Sequence, residues 1–89
     1  MMSRYTIILS KLAQEKFDHF IHSDRKRGEQ IAKAIDRLAL HPTLGEFLKG
    51  KWEGYRKYRT GNYRIIYRVE HDQVIIYIIT IDDRKDVYR

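Results

Sequence analysis

Tyr55-Arg56-Lys57-Tyr58-Arg59-Thr60-Gly61-Asn62-Tyr63-Arg64-Ile65-Ile66-Tyr67-Arg68-Val69-Glu70 is the stretch that decides the fold. It holds two aromatic and β-branched runs, residues 55–60 and 63–70, either side of the two-residue turn Gly61-Asn62. That pattern is a hairpin signal. His71-Asp72-Gln73 reads as a second turn, and residues 74–82 as a third strand. This third run is apolar on both faces, with Val74, Ile76 and Ile78 on one and Ile75, Tyr77 and Ile79 on the other, so it is expected at the sheet centre. Residues two apart in a strand share a face. Lys57 and Arg59 therefore point the same way, as do Arg64 and Arg68, while Tyr58, Ile65 and Tyr67 point the other way. Arg56 has the parity of Tyr58, which places it at the strand's start or snorkelling past the edge.

Upstream, residues 43–54 form a connection punctuated by Gly45, Gly50 and Gly54. Two helices precede it. Ser10 reads as the N-cap of a helix ending near His22, with Ala13, Phe17, Phe20 and Ile21 on one stripe. A polar link over residues 23–27 follows, with Asp24 as a possible cap and Gly28 blurring the start of the second helix. Ile31, Ala34, Ile35 and Leu38 make its stripe, and Pro42 stops it near His41. Residues 4–9 are β-branched and aromatic and read as a first strand. The order is β-α-α-β-β-β. This is an α+β fold in one domain, residues 1–89, with a two-helix hairpin on one face of a small, mainly antiparallel four-stranded sheet.

The chain has 89 residues, enough for one modest core. It contains no cysteine, which excludes disulfides and thiolate metal sites. The longest apolar run, residues 74–79, falls far below the roughly 20 residues of a membrane helix. Tyr5-Thr6-Ile7-Ile8-Leu9 is too short for a signal-peptide core, so a cytoplasmic protein is expected. His19 and His22 lie three apart on the first helix but lack a third ligand, so no metal or other cofactor is expected. Trp52 reads as a lid over the core edge rather than a stacking platform.

The net charge is +6, from 18 Lys and Arg against 12 Asp and Glu. Residues 55–68 hold Arg56, Lys57, Arg59, Arg64 and Arg68 with no acid among them. Arg84, Lys85, Tyr88 and Arg89 follow the last strand. Guanidinium and ammonium groups converging in this way suit a phosphate backbone, and Tyr55 and Tyr88 suit base stacking. The same alternation is equally well read as the solvated face of a meander, on which lysine discourages edge aggregation.

Leu48-Lys49-Gly50, the core from Tyr55 to Tyr67, and Asp83-Arg84-Lys85-Asp86-Val87-Tyr88-Arg89 together resemble the RelE/ParE superfamily of toxin–antitoxin toxins. The likeness spans essentially the whole chain. The ending Arg84…Tyr88-Arg89 is similar to RelE-type members, which implies a ribosome-dependent endoribonuclease that cuts mRNA in the ribosomal A site without a metal. Lys57, Arg64, Arg84 and Tyr88 would then be catalytic, and Arg59, Arg68, Lys85, Arg89 and Tyr55 would bind RNA. Arg64 and Arg84 would stabilise the developing phosphorane charge, and Lys57 or Tyr88 would handle protons. Asp83 stands where many relatives have histidine, and Tyr55 where RelE-like enzymes often have lysine, which leaves acid and base unassigned. The resemblance also implies a small RelB-like antitoxin as partner. The alternatives are a ParE-like inhibitor of DNA gyrase and a non-toxic RNA-binding remnant.

Overall fold

In the computed structural model, which describes residues 4–83, an extended strand β1 (Thr6–Leu9) runs into helix α1 (Lys11–Ser23). Ser10 caps this helix as expected: its hydroxyl accepts from the Ala13 N–H at 3.0 Å. Helix α2 spans Arg25–Leu40. The link between the helices is Asp24 alone, not residues 23–27. Its backbone is extended (φ −155°, ψ 101°), its N–H closes α1 on the Phe20 carbonyl, and its carboxylate accepts from the Lys26 and Arg27 N–H groups. A residue that ends one helix and caps the next needs no further linker. Gly28 lies inside α2 and is buried, because a Cβ there would meet Ile21 Cγ1 at 2.5 Å and its Cα at 2.8 Å. The glycine lets α1 and α2 approach closely, which outweighs its poor helix propensity.

Strand β2 (Glu46–Phe47) is a fifth strand where four are expected. After it come a 3₁₀ turn (Gly50–Trp52), β3 (Arg56–Thr60), β4 (Tyr63–Glu70) and β5 (Ile75–Asp83). The sheet order is β1-β5-β4-β3-β2, with β1 parallel to β5 and every other pair antiparallel. The last strand is thus interior, as its two apolar faces predict. It starts one residue later than expected because Val74 adopts φ 57° and belongs to the turn. A β-branched residue in that region is strained.

The helices cover one face of the sheet. Ala13, Ile31, Ala34, Ile35 and Leu38 pack there against Tyr63, Ile65, Tyr67, Ile76, Ile78 and Ile81. The alternation of β5 breaks once. Ile66 pairs with Thr80 and Tyr67 with Ile78, so Ile79 is an extra residue in a β-bulge. The bulge resets the phase, so that Ile78 and Ile81, three apart, both reach the core, while Thr80 and Asp82 turn to the face away from the helices. Ser10 supports this kink: its hydroxyl donates to the Ile79 carbonyl at 2.6 Å.

Candidate nucleic-acid interface

The sheet face opposite the helices carries the basic residues. Across the strands, Glu46, Lys57, Ile66 and Thr80 form one row, and Arg59, Arg64 and Asp82 the next. Lys57, Arg59, Arg64 and Arg68 share this open face, as strand parity predicts. Arg56 lies on the helix side, where its Nη1 donates to the Gly45 carbonyl at 2.7 Å and its guanidinium sits 3.8 Å from the Phe47 ring centroid. Arg56 therefore fastens β2 to the sheet.

Arg59 and Arg64 are direct cross-strand partners. Like charges so placed destabilise a sheet, by roughly 0.2–1 kcal/mol. Arg64 Nε is buried with no hydrogen-bond partner among the described residues. Arg68 Nε is buried in the same way, and Arg64 has Asp82 as its other cross-strand neighbour, so it is Arg59 that leaves this row with a surplus cation to offer an anion. Lys57 stands two residues from Arg59, about 7 Å along the strand. Arg68 is more committed: its Nη1 bonds Glu70 at 2.8 Å and its guanidinium lies 4.9 Å from the Tyr77 ring centroid. Tyr55 precedes β3 and meets Trp52 edge-on at 5.6 Å. Arg84, Lys85, Tyr88 and Arg89 lie outside the described residues.

The structure adds residues that the sequence did not single out. Strand β2 brings Glu46 into register with Lys57, and Glu46, Lys57 and Arg59 line a recess of about 280 Å³. Thr80 and Asp82 reach the same face through the bulge. Trp52 lies over the open face rather than the core edge, sharing a second recess with Leu48, Arg64 and Ile66. Two tyrosines under this surface are perturbed. Burial raises the Tyr67 phenol above its ordinary value, against the opposing pull of the Gly45 N–H and Arg56. Burial also raises Tyr63, with Arg27 working in the other direction.

The fold has close structural counterparts. The chain superimposes on the RelBE2 toxin–antitoxin complex from Mycobacterium tuberculosis with a TM-score of 0.78 at 23% identity, covering 91% of this chain and 99% of that one. A YoeB/ParE toxin from Agrobacterium tumefaciens gives 0.77 at 24% identity, covering 88% and 96%. The heterotetrameric YoeB-YefM toxin–antitoxin complex from Staphylococcus aureus gives 0.65 at 30% identity, covering 88% and 94%. The fold is that of the RelE and YoeB toxins. No curated protein sequence matches the chain. The sequence profile described as "ParE toxin of type II toxin-antitoxin system, parDE" matches residues 7–88, and the chain belongs to this family of type II toxin–antitoxin toxins within the RelE/ParE superfamily.

Proposed function

We propose that this toxin is a metal-independent, ribosome-dependent endoribonuclease that cuts mRNA in the ribosomal A site, acting in the cytoplasm. The observation that carries this reading is the Arg59–Arg64 pair, held opposite one another at a cost to the sheet, on the same face as Lys57. In the reaction, a ribose 2′-hydroxyl loses its proton and attacks the adjacent phosphorus. The bond to the 5′ oxygen breaks, and that oxygen takes up a proton. Arg64 stabilises the pentacoordinate charge, with Arg84 as the second cation. Glu46, a carboxylate in register with Lys57, is positioned to accept a proton, while Lys57 and Tyr88 are the candidate donors. A small antitoxin would silence the toxin by covering the basic face; RelBE2 and YoeB-YefM, among the structural relatives, are toxin–antitoxin complexes.

Mapping RNA ends after induced expression tests the reading. Wild-type chain is expected to leave cuts within codons of translated mRNA, and Arg64→Ala and Glu46→Gln to abolish both cuts and growth arrest while remaining folded. The family match favours a second reading, a ParE-like poison of DNA gyrase. Gyrase-linked DNA breaks without mRNA cuts would establish it and remove the first.

A further inference from the structure

On the open face, Leu48, Trp52, Arg64, Ile66, Thr80 and Asp82 enclose a recess of about 180 Å³. Its walls differ in chemistry. Leu48, Trp52 and Ile66 make an apolar and aromatic side, and Ile66 is only 7% exposed although it faces away from the helices. Thr80 and Asp82 make a polar side, placed there by the bulge at Ile79. Asp82 is held through one oxygen: Oδ1 accepts from Lys16 Nζ at 2.5 Å and from the Thr80 hydroxyl at 3.2 Å. Arg64 borders the same recess.

An aromatic wall, a fixed carboxylate acceptor and a phosphate-binding cation within one recess match the parts of a single nucleotide. Every base stacks on an aromatic side chain. A carboxylate accepts from an exocyclic amine such as cytosine N4, whereas uracil offers it only a ring N3–H flanked by two carbonyl oxygens that repel it. We propose that this recess holds one base of the RNA substrate, stacked on Trp52, and selects a base bearing an exocyclic amino group over uracil through Asp82. The proposal rests on the RNA reading above and assigns the base that accompanies the phosphate at Arg64.

Trp52 is the chain's one tryptophan, so its fluorescence reports on the recess directly. The purified toxin is titrated with the trinucleotides UGU, UAU, UCU and UUU, carrying 2′-deoxyribose at the first and central positions so that neither phosphodiester can be cleaved. Trp52 quenching by the three amine-bearing sequences is expected at about tenfold lower concentration than by UUU. Asp82→Asn, checked for folding by thermal melting, is expected to erase that ranking while keeping the quenching. Equal response to all four sequences, or a ranking unchanged in Asp82→Asn, overturns the proposal. The wild-type ranking alone decides the matter if that variant does not fold. Because the titration needs no cleavage, selective quenching without mRNA cuts in cells upholds the recess and removes the nuclease reading. Mapped cuts with unresponsive fluorescence do the reverse.

Discussion

Tyr67 serves two partners through one oxygen. Its hydroxyl accepts from the Gly45 N–H at 2.9 Å and donates to the Pro42 carbonyl at 2.7 Å, and the side chain is fully buried. Tyr67→Phe leaves both backbone groups without that partner, so a loss of about 1–3 kcal/mol is expected in urea unfolding. Because Gly45 leads directly into β2, the variant should also loosen the register of Glu46 with Lys57. The pH dependence follows from burial, which raises the Tyr67 phenol above 10 in the folded chain. The folded state then holds the proton more tightly than the unfolded state, so this contribution is intact below pH 10 and is lost as pH rises through the folded value. Unfolding midpoints should fall more steeply above pH 10 in the wild type than in Tyr67→Phe, with Tyr63 accounting for a remainder. Strand parity made the inward orientation of Tyr67 legible in sequence. Its hydroxyl partners were not, since they lie 22 and 25 residues away.

At the scale of elements, what could be read was what is local. Ser10 and Asp24 announced their helices because a cap is written in the few residues beside it. Cations alternating with aromatics placed Lys57, Arg59 and Arg64 on one face because the period of a strand is short. Strand β2 was hidden because two residues carry no period. The bulge was hidden because β5 is apolar on both faces, so a slip in phase leaves no mark in its pattern, and Thr80 and Asp82 went unnoticed with it. Ser10 joins the legible and the hidden, since one hydroxyl caps α1 and holds the Ile79 carbonyl. Ser10→Ala should therefore cost about 2 kcal/mol, more than a cap alone usually does. Ser10→Thr should recover most of that loss, as thermal and urea denaturation would show.

Across the whole molecule, four of the 18 Lys and Arg residues, Lys57, Arg59, Arg64 and Arg68, share the sheet face away from the helices. If these four meet phosphates, the logarithm of the RNA binding constant should fall against the logarithm of salt with a slope of roughly −3. Arg59→Gln should reduce that slope by about 0.7 and, by removing the repulsion with Arg64, raise folding stability by about 0.2–1 kcal/mol. Binding titrations at several salt concentrations and urea unfolding together test both halves. The strand order has a consequence in time. First-made β1 lies against last-made β5, and Ser10 reaches the Ile79 carbonyl across 69 positions of sequence. A nascent chain emerging N-terminus first, at about 5–20 residues per second, has its helices complete while the centre of the sheet is still unmade. The apolar stripes of α1 and α2 wait for β5, and so does the bulge that brings Asp82 beside Arg64. A cell translating this toxin therefore holds the centre of the sheet, and the face it carries, unassembled until β5 has emerged.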